Sequence, residues 1–506
     1  MLQKAFLPLV IAAAIAAIPV YTQRPAAAKA ADAVNAQSDN ADAIVSVKPE
    51  FNRAGAIIPK SFLGMSIEYG SISTFFAEPR LAITARLLNR LGRLQGPPLL
   101  RIGGNSEDRA VWHLPALHPR PAGDRINLTS RTAMMLHAAA VQTNSKLILG
   151  VNFGRGTPAM ARPWIRSAIE HIGASHILAF EIGNEPNLYN HNGARPHSYN
   201  VRDYLRQWRA FADALQPMLP SRRILAGPAF CAPWRKYTPD FIKREHSRLA
   251  VVTMHEYPLG APIKNHRSPR YADIVNLLDN SSSSIFARLI RSSVSTGRRY
   301  KLPVRFAEIN STYGGGKAGG GGKAGVSNVF AASLWSLDTM FEVASTGSAG
   351  VNFHTAPRYG AFWIFQRNNG VRVLPLYYGM LMFAQAAPPG ARLIPMSFHT
   401  QANIKIWMTL DQHRMARVIL INKDLHRNVV VQLSLPDSLR GTVERLSGRS
   451  MTSRNRISIG GLTFNGSVNG LPRGQQVITA VRARGGMYTI ALKHGSAALL
   501  AAQLNP

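Results

Sequence analysis

From about residue 60 to residue 390, short apolar segments alternate with longer stretches in which apolar residues recur at helical spacing. The short segments predict eight strands, at 61–67, 99–102, 146–151, 177–182, 223–227, 250–255, 303–307 and 350–353. The longer stretches predict helices at 80–91, 130–143, 163–172, 201–215, 271–294, 326–344 and 376–387. Eight strands that alternate with helices are typical of a (β/α)₈ TIM barrel in the α/β class. A doubly wound sheet is the alternative, but no GxGxxG or phosphate loop follows the first strand.

After the Pro-Pro-Gly at 388–390 the pattern changes to short runs separated by turn residues. These runs predict strands at 404–409, 416–422, 429–435, 442–446, 476–481 and 487–492. We therefore expect the barrel over 61–390 and a C-terminal antiparallel β-sandwich domain over 391–506. Residues 45–60 precede the first barrel strand and have the position to add an N-terminal strand to the β-domain.

The N-terminal residues 1–31 have the three parts of an export signal. Lys4 supplies the positive start, an apolar run covers 6–20, and small residues at 25–30 suit a signal peptidase. Residues 32–44 have no periodicity and are interpreted as a disordered leader. A membrane anchor is the alternative for the apolar run. No later segment has about 18 uninterrupted apolar residues, so no other part of the chain is expected to span a bilayer. We expect a secreted or periplasmic protein with no stable membrane insertion after signal removal.

The chain is strongly basic, with 59 Lys and Arg residues against 26 Asp and Glu residues and a formal charge of +33. Such an excess attracts polyanions, including acidic polysaccharides, nucleic acids and anionic membranes. Because the arginines are scattered, genomic bias in composition explains the excess equally well. Nucleic acid is not expected as a partner, since the chain has no zinc-finger spacing, RNA-binding aromatic pattern or long basic run. The sequence leaves the oligomeric state open.

Two predicted strands each lead into a glutamate that has no basic residue four positions later. Glu185 follows the fourth strand, and Glu308 ends the seventh. A carboxylate where a buried strand meets a loop is costly unless something uses it, and the carboxyl ends of barrel strands carry active sites. Two carboxylates about 5–5.5 Å apart are the acid and the nucleophile of a retaining glycosidase. The alternatives are a first-turn helix glutamate before Pro186 and a solvated glutamate at a strand end.

Several motifs in this order resemble glycoside hydrolase family 79, the heparanase and β-glucuronidase family. They include Leu100-Arg101-Ile102-Gly103-Gly104-Asn105, Asn184-Glu185-Pro186, and Glu308 followed by Ser311-Thr312-Tyr313-Gly314-Gly315-Gly316. The resemblance extends over about residues 60 to 430. It implies a retaining hydrolase that cleaves β-linked glucuronic acid from glucuronides or acidic polysaccharides through a glycosyl-enzyme intermediate, and it implies no cofactor.

The family resemblance also implies roles for particular residues. It implies Glu185 as the acid/base and Glu308 as the nucleophile. Contacts to the sugar carboxylate are implied for Tyr313, the backbone N–H groups of Gly314 and Gly315, and Tyr359. Contacts to ring hydroxyls are implied for Glu68, Asn105 and Asn184. Tyr257 matches a tyrosine that bonds the nucleophile, His255 shares that strand end, and Arg101 is expected to lie under the site and keep Glu308 ionised.

Other chemistries have less support in the sequence. No HExxH, CxxC or clustered His/Asp spacing is present, so no metal site is expected. His137 and His354 are interpreted as packed or surface histidines rather than ligands. Two alternative functions stay open at this point: a retaining β-glycosidase acting on neutral sugars, and a non-catalytic basic protein that binds polyanions.

Overall fold

The computed structural model describes residues 43–113, 126–315, 321–355, 362–367 and 370–505. The predicted signal at 1–31 and all but the end of the predicted leader lie outside these residues, as does Tyr359. Within the described ranges, no helix combines the length and the apolar character that crossing a bilayer requires.

Eight parallel strands close into a barrel, which confirms the predicted fold class. The strands, numbered here 1 to 8 in chain order, are Leu63–Glu68, Leu99–Gly103, Leu147–Val151, Ile177–Ile182, Leu225–Phe230, Leu249–Glu256, Val304–Ile309 and Gly350–His354. Consecutive strands are neighbours around the ring, and strand 8 closes it by pairing with strand 1. The strands are buried along almost their whole length, because helices cover the outer face and side chains fill the interior.

Helices connect the strands and cover the barrel. They are Ile72–Phe76, Arg80–Gln95, Ser130–Thr143, Pro158–Ser167, Val201–Leu215, Thr238–Glu245, Ile274–Leu278, Asn280–Arg299, Ala331–Ala344 and Leu376–Ala386. The prediction of one helix over 271–294 was wrong, because Asp279 interrupts it. The Asp279 side chain accepts a hydrogen bond from the Ser281 N–H at 2.8 Å and so caps a new helix.

The C-terminal β-domain packs two sheets face to face. Its strands are Arg392–Ile394, Met396–Phe398, Ile404–Leu410, Met415–Asn422, Val429–Ser434, Arg440–Gly448, Ile457–Ile459, Thr479–Arg482, Met487–Leu492 and Ser496–Gln503. The N-terminal strand Ala43–Pro49 lies in the smaller sheet, where it pairs parallel to Val429–Ser434, so this sheet is not purely antiparallel. The sequence analysis missed Ser496–Gln503, which lies between Met415–Asn422 and Arg440–Gly448 in the larger sheet.

The helix Ala331–Ala344 is buried on every side between the barrel and the β-domain. Its Asp338 accepts hydrogen bonds from Lys423 at 2.8 Å and Trp407 at 3.0 Å, both in the β-domain. It also accepts one from Ser283 of the barrel at 2.6 Å. A buried ion pair therefore links the β-domain to this helix, and both carboxylate oxygens of Asp338 accept hydrogen bonds.

Candidate active site

Glu185 lies just past the carboxyl end of strand 4. Its backbone is left-handed, with φ of 48°, and Gly183 before it has φ of 83°. A left-handed glutamate is uncommon, and such residues concentrate at functional sites. Although Glu185 precedes the short turn Pro186–Leu188, its side chain makes no capping hydrogen bond. Its Oε1 instead lies 3.2 Å from Nδ1 of His255, so the alternative of a first-turn helix glutamate does not describe it.

Glu308 lies within strand 7, near its carboxyl end, and is only 8% exposed. Arg101 donates to its Oε2 at 2.7 Å, and the Tyr257 hydroxyl donates to its Oε1 at 2.8 Å. It is therefore not a solvated strand-end glutamate. The strand register pairs Glu308 with His255, and an irregularity in the pairing falls between Phe306 and Glu308.

The two glutamates converge at the mouth of the barrel. A carboxylate oxygen of Glu185, a ring nitrogen of His255 and a carboxylate oxygen of Glu308 all lie within 4.8 Å of one another. Retaining glycosidases separate their two carboxyl groups by about 5–5.5 Å, and inverting enzymes by about 6.5–9.5 Å. Because the nearest oxygens are this close, the arrangement suits direct attack on a sugar carbon better than activation of a water between the carboxylates.

The electrostatic surroundings keep Glu308 ionised. Burial raises the pKa of its carboxyl, but the charges of His354, His255 and Arg101 outweigh burial. Together with the hydrogen bond from Tyr257, they lower the pKa of Glu308 to about 2. Burial and the charge of Glu308 raise the pKa of Tyr257, which therefore stays protonated and donates.

Arg101 lies fully buried beneath the site, as predicted, and it binds more carboxylates than the sequence indicated. Its Nε donates to Glu181 at 2.7 Å, and its Nη2 lies 3.4 Å from Glu107. Burial lowers the pKa of Arg101, but the charges of Glu181, Glu308 and Glu107 outweigh it and hold this pKa above its usual range. Burial is also the main cause that raises the pKa of Glu107 well above its ordinary value. Arg101 thus carries a permanent charge against a group of acidic side chains.

The three residues expected at ring hydroxyls form a connected rim. Asn184 accepts from Arg101 at 2.9 Å and donates to Asn105 at 3.4 Å. The backbone N–H groups of Asn105 and Ser106 donate to the two carboxylate oxygens of Glu68, at 3.1 and 2.7 Å. Hydrogen bonds therefore orient Glu68, Asn105 and Asn184 relative to Glu308 through Arg101.

The residues expected at a sugar carboxylate lie on a second part of the rim. Tyr313 is half-buried, and its strand Thr312–Tyr313 pairs with Leu259–Gly260, just beyond Tyr257. Gly314 follows with φ of 70°, and a Cβ there would lie 2.6 Å from the Pro262 ring. Gly315 bridges to Gly321. Tyr359, the fourth residue expected here, lies outside the described residues.

Sequence reasoning missed one histidine that contacts the predicted nucleophile. His354 is packed, as the sequence indicated, but its Nδ1 also lies 3.7 Å from Glu308 and 3.2 Å from the Ser66 hydroxyl. His354 ends strand 8, so its place at the carboxyl end of a barrel strand was the available signal. Glu181 and Glu107 were also missed, and an acidic residue inside the buried strand 4 was the signal for Glu181.

The cluster of Glu185, His255 and Glu308 also has the donor types that bind metal ions. Both oxygens of Glu308, however, already accept hydrogen bonds from Arg101 and Tyr257. A guanidinium at 2.7 Å repels a cation placed beside the same carboxylate. The donor set within the described residues therefore fits an acid and a nucleophile better than a metal centre.

Comparisons with known proteins agree with this geometry. The family described as the glycosyl hydrolase family 79 C-terminal beta domain matches residues 406–499. A β-glucuronidase from Neurospora crassa is 25% identical over 65% of this chain, and the match spans 64% of that relative's length, slightly under two thirds. A β-glucuronidase from Aspergillus niger is 23% identical over 86% of this chain, and the match spans 84% of that relative's length.

Solved structures share the whole architecture. A 4-O-α-L-rhamnosyl-β-D-glucuronidase from Fusarium oxysporum superposes with a TM-score of 0.74 at 21% identity, over 91% of this chain and 100% of its own. A family 51 arabinofuranosidase from Xanthomonas axonopodis pv. citri gives a TM-score of 0.65 at 14% identity, over 91% and 100% of the two chains. A closed barrel with two converging carboxylates and an appended β-domain defines this protein as a glycoside hydrolase. By sequence, residues 406–499 match the C-terminal beta domain of glycoside hydrolase family 79, and the chain is similar to the two fungal β-glucuronidases.

Proposed function

We propose that the protein is a retaining β-glucuronidase. The observation that carries this proposal is the approach of Glu185 and Glu308 within 4.8 Å at the barrel mouth. The names of the Neurospora and Aspergillus relatives support glucuronic acid as the sugar that is released. The N-terminal apolar run and the small residues after it support export, so we include a secreted or periplasmic location in the proposal.

The different surroundings of the two carboxyls support their roles. Glu308 is buried, bound by two donors and held at a pKa of about 2, so it is ionised and positioned to attack the anomeric carbon. The side chain of Glu185 is 14% exposed, against 10% for Glu308, and among the described residues its carboxylate lies beside His255. Glu185 gives its proton to the leaving oxygen while Glu308 forms an ester with the sugar. Glu185 then deprotonates the water that cleaves this ester, and the β configuration is retained.

The rim residues supply recognition of the sugar. Glu68, Asn105 and Asn184 bind ring hydroxyls, and the amide of Asn184 strengthens its contact as the oxocarbenium ion develops. Tyr313 and the N–H groups of Gly314 and Gly315 donate to the uronate carboxylate. Glycine suits this position because the absence of a Cβ lets the backbone approach the ligand closely.

The first test compares the purified protein on matched aryl β-glucuronide, β-glucoside and β-xyloside substrates. We expect the glucuronide to give the highest kcat/KM, and proton NMR of the first product to show the β anomer. A higher kcat/KM for the glucoside or xyloside would contradict the proposal and indicate a glycosidase that acts on neutral sugars. Salt-sensitive binding to heparin without any cleavage would support a non-catalytic polyanion-binding protein.

The second prediction concerns the acid limb of the pH–rate profile. Replacing His354 with glutamine removes the largest of the charges that lower the pKa of Glu308, so this pKa rises. Because the nucleophile acts only when ionised, a higher pKa moves the loss of kcat/KM to higher pH, by roughly one pH unit. The exposed His137, changed to glutamine, serves as the control and is expected to leave the profile unchanged. An acid limb at the same pH in both variants would show that His354 does not act on Glu308.

A further inference from the structure

Arg270 contacts both tyrosines of the site, the backbone of Tyr257 and the ring of Tyr313. It is half-buried in the loop after strand 6, in the segment that folds back over Leu259–Gly260. Its Nη2 donates to the carbonyl of Tyr257 at 2.9 Å, and its Nε donates to the carbonyl of Pro258 at 3.1 Å. The guanidinium is therefore fixed by a two-point contact to the backbone that carries the nucleophile's tyrosine partner.

The same guanidinium also covers one face of Tyr313, with its central carbon 5.5 Å from the ring centroid. This distance and position fit a cation–π contact. The close approach depends on Gly260, because a Cβ at that residue would lie 2.6 Å from the Cζ atom of Tyr313. The absence of a side chain at Gly260 thus leaves room for the phenol ring of Tyr313 to lie over the strand Leu259–Gly260.

Arg270 forms no ion pair with any carboxylate in the described part of the chain; its side-chain nitrogens bond only to carbonyl oxygens. An uncompensated, partly desolvated cation is costly unless an anion offsets it in the working state. Two other arginines near the site are by contrast paired with carboxylates. Arg101 is surrounded by Glu107, Glu181 and Glu308, and Arg235 forms an ion pair with Glu256. Arg270 is therefore a cation whose charge is still available beside Tyr313.

We infer that Arg270 is a specificity-determining positioning residue, which selects an acidic over a neutral sugar through Tyr313 and orients Tyr257 toward the nucleophile. The inference rests on the proposed function, because it takes a uronate carboxylate as the group that Tyr313 contacts. The positive charge of Arg270 attracts the uronate carboxylate across the phenol ring of Tyr313. The two hydrogen bonds from Arg270 to backbone carbonyls fix this ring relative to the end of strand 6. Arg270 itself need not touch the substrate.

The test compares an aryl β-glucuronide with its methyl ester, which has the same ring and leaving group but no charge. In Arg270→Gln we expect the preference for the acid over the ester to fall by about 10-fold, mostly through KM for the acid. Arg270→Lys keeps the positive charge but loses the planar guanidinium that makes the two hydrogen bonds to carbonyls. It is therefore expected to recover part of this preference. A purely structural role would instead lower kcat/KM for both substrates equally.

Arg267→Gln is the matched control, because Arg267 is an exposed arginine in the same loop and its loss changes net charge equally. It is expected to keep the wild-type preference. If the wild type cleaves the glucuronide and Arg270→Gln keeps the full preference for the acid, the inference about Arg270 is wrong while the proposed function stands. If the wild type does not cleave the glucuronide, the proposed function fails first.

Discussion

Replacing Glu308 with glutamine is expected to reduce turnover of an aryl β-glucuronide by about 10⁴-fold or more, because no other described carboxylate is placed to form the glycosyl ester. Glutamine has nearly the same shape, and its single carbonyl oxygen keeps one of the two hydrogen bonds, that from Arg101 or that from Tyr257. The fold should therefore persist, which circular dichroism and the melting temperature would check. Glu308→Ala is expected to lose the same activity.

A variant of the acid/base Glu185 is expected to differ from the Glu308 variants, and this difference distinguishes the acid/base from the nucleophile. Glu185→Ala is expected to lose about 10²–10⁴-fold on substrates whose leaving group needs a proton. With a dinitrophenyl leaving group, the first step needs no acid, so a burst of phenol should precede slow turnover, and added azide should restore the rate. Glu170→Gln, at an exposed glutamate, is the control. Near wild-type rates in either active-site variant would overturn the assignment.

Replacing Arg101 with methionine is expected to have the largest effect on stability. The change leaves Glu181, Glu308 and Glu107 buried without their common cation, and removing one partner of a buried ion pair costs about 3–5 kcal/mol. We expect a clear fall in melting temperature. The pKa of Glu308 should also rise, since one of the charges that lowers it is gone, so any residual activity should require a higher pH.

Two further variants test whether burial of the charges causes the expected loss of stability in Arg101→Met. Arg206→Met breaks the ion pair with Asp203 on the protein surface, where the arginine side chain is 71% exposed, and it is expected to leave the melting temperature unchanged. The double variant Arg101→Met with Glu181→Leu removes both a buried cation and a buried anion. It should recover part of the lost stability without recovering activity. If Arg101→Met melts at the wild-type temperature, the buried network does not stabilise the fold.

The barrel could be predicted because local pattern and tertiary environment agree there. All eight barrel strands coincide with apolar segments, and the helices Ser130–Thr143 and Val201–Leu215 begin and end where the amphipathic pattern does. Asn200 illustrates why helix ends are predictable, since its side chain accepts from the N–H groups of Arg202 and Asp203. These are short-range effects that the sequence contains directly.

The strand Ser496–Gln503 shows where local pattern fails. Its residues, mostly alanine and leucine, have high helix propensity and low strand propensity. It is nevertheless a central strand, with partners on both sides along its length. Hydrogen bonds and burial supplied by two distant strands outweigh the intrinsic preference, and neither is visible within an eight-residue window.

By itself, the sequence determined the alternation of strands and helices, and with it the positions of Glu185 and Glu308 at the ends of strands 4 and 7. Parallel strands in a closed barrel bring their carboxyl ends to one rim, so these two acids had to lie on the same side of the molecule. Only the tertiary structure showed that His354, Glu181 and Glu107 also belong to the surroundings of these acids. The pairing of strand 7 with strands 6 and 8 placed His255 and His354 beside Glu308. The physical reason is that charge interactions depend on separations of a few ångströms, which are set by packing between strands that are far apart in the chain.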